Sequence, residues 1–448
     1  MSYTPFDKPI ESIDVADLKV LLDRKVSEGY FVEFKSDFPS NEKIAHAVVA
    51  FANTVGGWLI VGVKTNKHNE AEEICGFGLT ACHDPTALVR DVIRNHIDPI
   101  PLFASRVIEL GGGKAVFLLE VPEGQDTPFI TKNGRIYRRI SDSKEPIAEA
   151  NRHGLDELIA RGKEYNRVFK KFCEDERPAY RDDPGWINLY LVPYPSGAIN
   201  IASEMYPDDY IAKHLALCAN PSLDGESKSG FGYVRFGVGQ HHHLSVVFRD
   251  VTSLRTATKS SALEFFAYGA GKLFIPVYGQ EIVEFIKRFD DGSANASRLS
   301  KDTIVRHLDD YPDTGIAWLR FFDFSETMIS IGAMLNNYRM LLGSKNLAGE
   351  FRLAVEIRNV SRFVPFIDTD EWAEFVSKCG LPSFQHEDAK LFMKGKYLIS
   401  LENPWESWKL MGEWLAQAFG LPVQLGKSAC LRGYEQVVDR MASSTRPA

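Results

Sequence analysis

The chain has 448 residues, 44% hydrophobic and 25% charged, which excludes a collagen-like or disordered protein and is too long for one compact core. Its 52 Lys and Arg against 60 Asp and Glu leave a net charge of −8, so a basic nucleic-acid coat is excluded and any polyanion must bind at a local positive patch. Six scattered cysteines without a CxxC pair suit reduced thiols in the cytoplasm; no basic start with an apolar run marks a signal peptide, and charges interrupt every apolar stretch before it reaches membrane-spanning length.

In chain order, the pattern predicts a helical stretch over Ile13 to Lys25 and a short strand over Tyr30 to Phe34 with Glu33 embedded in it. From Glu42 to Val55, the spacing of Ile44, Val48, Phe51 and Val55 predicts a helix stopped by Gly56-Gly57. The run Trp58 to Val63 is too short and too β-branched for a core helix and reads as a central strand covered on both faces. A second helix follows Asp84-Pro85, and a hairpin joins Ser105–Leu110 to Ala115–Val121 through three glycines. A last strand spans Arg135 to Ile140, and Glu145 to Arg161 reads as helix.

The charged stretch Lys170 to Asp183 marks a domain boundary, giving a first domain over 1–165, a linker over 166–185 and a separate α+β domain over 186–448. In the last of these, strand-like runs recur at Ile187–Val192, Leu244–Phe248, Leu273–Tyr278, Ile316–Phe324 and Leu353–Ile357, with a helix over Gln280–Arg288. Trp318, Phe321, Phe322 and Phe324 are expected in its core.

Three constellations bear on chemistry without reference to any family. Gly111-Gly112-Gly113-Lys114 fails as a phosphate loop, because Ala115 stands where Ser or Thr is required and the leading glycine is misplaced. His241-His242-His243 would place only two imidazoles on one face of a strand, short of a metal site. Lys132, Arg135, Arg138, Arg139 and Lys144 set five cations against the lone Asp142; alternation puts Arg135 and Arg139 on one face and Arg138 on the other, with Tyr137 beside them for stacking. The same pattern also suits a solvated edge strand protected by charge.

Glu28, then Val32-Glu33-Phe34-Lys35, Ala50-Phe51-Ala52-Asn53-Thr54 with Gly56-Gly57, and Ile60-Val61-Gly62-Val63 resemble the Schlafen-type AlbA-like domain, also catalogued as a divergent AAA-type ATP-binding domain. Gly76, Pro122 to Pro128, and Gly134 to Arg139 followed by Ser141 resemble its later blocks, so the likeness covers about residues 10–160. It implies an α+β mixed sheet with packed helices and association with RNA or DNA, and is compatible with a homo-oligomer.

In the nuclease members of the family, three acidic residues hold Mg²⁺ or Mn²⁺ for cleavage of tRNA or other structured RNA. The resemblance carries two of these onto Glu28 and Glu33; the third position holds Thr65, with Lys64 beside it, and an ammonium there disfavours a cation. Asp37 and the Glu70, Glu72, Glu73 cluster are candidate substitutes. The reading is therefore a nucleic-acid-binding protein that uses Lys35, Lys64, Lys132, Arg135, Arg138 and Arg139. Its alternatives are a metal-dependent endoribonuclease with Glu28 and Glu33 as catalytic ligands, acting in anti-phage defence, and a ligand-responsive transcriptional regulator.

Overall fold

A computed structural model describes residues 3–6, 8–80, 82–140, 145–174, 185–194, 199–201, 205, 240–241, 245–249, 260–290, 302, 305–306, 319–343, 350–382, 388–392, 398–401 and 404–430. The architecture is mixed α and β, and the chain divides into two compact units, Met1–Asp175 and Glu176–Ala448.

The first unit is built on a sheet of β1 (Val32–Lys35), β2 (Gly56–Val61), β8 (Lys114–Pro122) and β5 (Phe77–Gly78) in that order, with β7 (Ala104–Gly111) also paired to β8. β1 runs parallel to β2; β8 is antiparallel to β2, β5 and β7. Strand β2 is wholly buried because each face has its own cover. Leu59 and Val61 pack with α2 (Asn41–Ala52) and α3 (Pro85–His96). Trp58 and Ile60 pack with Phe6, Ile10, Ile13, Leu18 and Leu21 of the N-terminal segment. A continuous apolar run is what a strand with two covered faces requires.

Local chemistry accounts for the boundaries. Asp84 caps α3 by accepting from the Ala87 N–H at 2.9 Å, with Pro85 in the first helical position. Gly111, Gly112 and Gly113 all have positive φ and make the β7–β8 turn, not a phosphate cradle. Helix α2 ends at Ala52, before the glycine pair expected to stop it; Gly57 lies inside β2, where an added Cβ would meet the Phe51 ring at 2.3 Å and the Phe31 carbonyl oxygen at 2.6 Å.

Three expected elements differ. Of the Ile13–Lys25 stretch only Lys19–Asp23 is α-helix (α1), preceded by turns in which Asp14 and Asp17 accept backbone N–H bonds. The basic strand shrinks to β10 (Tyr137–Arg138), paired antiparallel with β11 (Ile147–Ala148). That pairing takes residues from the helix expected to begin at Glu145, so α4 starts at Arg152 and continues to Glu174, through part of the expected linker, with Phe169 and Cys173 buried. Smaller pairs complete the unit: β3 (Val63–Thr65) with β4 (Ala71–Ile74), and β6 (Ile97–Asp98) with β9 (Ile130–Thr131).

The second unit contains a large antiparallel sheet of β13 (Gln240–His241), β14 (Ser245–Arg249), β15 (Ala262–Phe266), β16 (Gly271–Val277), β12 (Gly185–Tyr194), β19 (Glu350–Arg358) and β21 (Asp388–Phe392), with β22 (Leu398–Ser400) also paired to β19. A smaller sheet joins β17 (Gln280–Glu281), β18 (Arg320–Asp323) and β20 (Phe363–Phe366). One face of the large sheet packs with α5 (Ile282–Asp290), α6 (Phe324–Leu342), α7 (Asp370–Cys379) and α8 (Pro404–Ala418) in one core. Phe321, Phe322 and Phe324 are buried in that core; Trp318 lies outside the described residues, as do Lys144, Cys218, His242 and His243. The opposite face of the sheet carries buried polar groups, among them Asn188, Tyr190, Glu264, Lys272 and Glu356.

Candidate nucleic-acid interface

Strand alternation sorts the side chains of β1. Val32 and Phe34 enter the core under the N-terminal segment, which turns Glu33 and Lys35 to the face covered by α2. Glu33 is 3% exposed and takes a cation on each oxygen: Lys35 Nζ at 2.9 Å from Oε1 and Arg139 Nη2 at 2.9 Å from Oε2. The Arg139 guanidinium is buried and lies 4.4 Å from the centre of the Phe51 ring on α2. Burial lowers its pKa; Glu33 and then Glu28 push it back up. Glu28 Oε1 accepts from the Phe34 N–H at 3.0 Å.

These residues do not fit a divalent ion. A metal held by Glu28 and Glu33 needs carboxylate oxygens facing a common vacancy, yet both Glu33 oxygens are engaged by cations of the chain itself. The proposed substitutes do not complete a set: Glu73 pairs with Lys64, Glu70 accepts from Asn66, and no group of three metal-ligating side chains occurs among the described residues.

The turn after α2 is tied down in three places. Asn53 donates to the carbonyls of Phe129 at 2.8 Å and Tyr137 at 3.1 Å and accepts from the Phe129 N–H at 2.8 Å, all in the interior. Thr54 Oγ1 accepts from the Arg139 N–H and donates to the Ala50 carbonyl. Arg161 of α4, a residue the sequence reading passed over, donates to the carbonyls of Asn53 and Thr54, placing a cation at the C-terminus of α2.

The expected basic residues separate into two groups. Arg139 and Tyr137 are not surface contacts: Arg139 is bound to Glu33, and Tyr137, 6% exposed, stacks on His46 at 4.0 Å. Alternation assumed a strand reaching Ile140, whereas pairing ends at Arg138 and the chain then turns Arg139 inward. Arg138 pairs with Glu149 at 3.2 Å and Glu157 at 3.5 Å, Lys35 with Glu33, and Lys64 with Glu73 at 2.9 Å. Lys132 and Arg135 are exposed, with no ion-pair partner among the described residues.

The structure adds cations from α3. The Lys132 N–H donates to the His96 carbonyl at 2.8 Å, docking the Lys132–Arg135 turn against the end of that helix. Arg90 and Arg94, one helical turn apart, are exposed and likewise have no ion-pair partner among the described residues. Their i, i+4 spacing was the signal available in the sequence.

Beside β10 lies a groove of about 630 Å³ whose lining includes Tyr30, Phe31, Arg138, Ile140, Glu149 and Glu157. A neighbouring pocket of about 260 Å³ is bordered by Thr54, Val55 and Arg161.

Residues 28–148 match the family model described as Schlafen, AlbA_2. This segment is a Schlafen AlbA_2 domain. The AlbA_2 match thus encompasses Glu28, Glu33, the Asn53 turn and the whole basic segment through β11. Among solved structures, the AlbA_2-containing chain is similar to the DIP2311 protein from Corynebacterium diphtheriae, at 21% identity over 30% of this chain and 26% of that one, with a TM-score of 0.20. No curated protein matches the chain. No described helix is long and apolar enough to cross a membrane.

Proposed function

We propose that the AlbA_2 domain binds nucleic acid, RNA or DNA, through phosphate contacts from Lys132 and Arg135 on the turn before β10 and from Arg90 and Arg94 on α3. The observation that carries this reading is the Lys132–His96 backbone bond, which joins the turn to the end of α3; the proposed cationic edge consists of four exposed side chains with no ion-pair partner among the described residues. On a chain of net charge −8, such an edge is where a polyanion is attracted rather than repelled. The family match points the same way, toward a nucleic-acid-related role.

Phosphate contacts release counterions, so affinity falls with salt by a slope of about 0.7–0.9 per contact. Replacing Lys132 and Arg135 together by Glu should abolish or weaken a gel shift and lower the salt slope by at least about 1.4. An unchanged shift and slope in the folded double variant would reject this surface.

A further inference from the structure

The groove beside β10 differs in chemistry from the cationic edge. Tyr30, Phe31 and Ile140 make apolar and aromatic walls; Ile140 is 52% exposed, and Phe31 already has Tyr3 stacked on it at 4.8 Å, while Tyr30 stands edge-on to Phe31 at 5.1 Å. The polar wall is Arg138 with Glu149 and Glu157, flanked by Arg139, Asn151 and His153; Glu149 Oε1 also accepts from the Asn151 N–H at 2.7 Å, and Glu157 Oε1 lies 3.4 Å from His153 Nε2. With Arg139 already bound to Glu33, two carboxylates face the one remaining guanidinium, an arrangement that disfavours a phosphate and can accept further N–H bonds from a neutral partner. Flat walls with N–H acceptors suit a planar heterocycle carrying an amino group. Arg135, three residues before Arg138, lies within about 10 Å along the chain, so a strand held by its phosphates at the edge can reach the groove with an adjacent base.

We propose that this groove receives one unpaired base bearing an exocyclic amino group, stacked on Tyr30 with its amine donating to Glu157 or Glu149; this rests on the nucleic-acid reading above. The bound species is then single-stranded or locally unpaired, because a paired base cannot leave its stack without cost. Cytosine has the required N4 amine, whereas uracil presents a carbonyl oxygen at that position.

The test is fluorescence anisotropy of the full chain with labelled 12-nucleotide oligo(C), oligo(U) and a mixed-sequence RNA duplex of equal length at low salt. Oligo(C) should bind at least fivefold tighter than oligo(U) or the duplex. Tyr30→Ala should remove most of that margin while leaving duplex affinity unchanged, Tyr30→Phe should retain it, and Glu157→Gln should narrow the difference between the two pyrimidines. Equal affinities for all three probes, or a Tyr30→Ala variant that binds oligo(C) as wild type does, overturns the groove and leaves the phosphate edge standing. Absence of binding to every probe overturns both.

Discussion

Arg139 donates to Glu33 across 106 residues of sequence, at 2.9 Å and with both side chains buried. The pair links β1 to the segment leaving β10, and the Thr54 hydroxyl holds the same residue by its backbone. A carboxylate that resembles a metal ligand in sequence therefore anchors a guanidinium, and the motif acts as an internal clasp.

Breaking one half of that clasp should cost more than replacing both halves. Glu33→Gln removes the carboxylate that binds the buried Arg139 guanidinium, leaving Glu28 as the charge that still favours it, and Arg139→Met leaves Glu33 with Lys35 alone; removing one partner of a buried ion pair costs about 3–5 kcal/mol. Chemical denaturation of both single variants and of the double variant should show the double less destabilised than the sum. Strict additivity would show that the two groups are not coupled.

Mn²⁺ should leave the melting temperature of the wild-type chain unchanged at millimolar concentration, since a ligand that binds only the folded state raises it. A metal-dependent rise that disappears in Glu33→Gln would restore these carboxylates as metal ligands.

Asn53→Ala should destabilise the first unit by about 3 kcal/mol, because it orphans an N–H and two carbonyls in the interior. Hydrogen exchange at the Phe129 amide should accelerate in the variant. Wild-type protection there would show that another group holds that segment.

Acidification should destabilise the chain partly through His46. Burial lowers its pKa below 6.5, Arg135 acts in the same direction, and Glu42 opposes. The folded state thus takes up the proton less readily than the unfolded one, so the contribution is complete above about pH 6.5 and is lost as pH falls through the lowered value. The melting temperature should drop more steeply between pH 7.5 and 5 in wild type than in His46→Phe, which keeps a ring over Tyr137. Identical pH profiles would remove His46 from the acid response.

Lys64→Glu should leave nucleic-acid affinity unchanged within twofold, since Lys64 is engaged with Glu73, whereas Arg90→Glu with Arg94→Glu should weaken it as much as the Lys132 and Arg135 pair does. A strong Lys64 effect in the gel shift would move the interface toward β3.

Much of the first unit is legible in the sequence, because its signals are local. Three glycines in a row make the β7–β8 turn, Asp84-Pro85 starts α3, and the unbroken apolar run of β2 announces two covered faces. The N-terminal motif, read from residues alone, also marks the AlbA_2 domain. The fate of each charge is a different matter. Five cations close together look alike in one dimension, yet Arg139 turns inward to Glu33, Arg138 finds carboxylates on β11's flank and α4, and Lys132 and Arg135 stay exposed beside α3. Propensity and periodicity act over a few residues and are written in the chain; which cation meets which carboxylate depends on partners as far as 106 residues away, and only the packed fold brings them within reach.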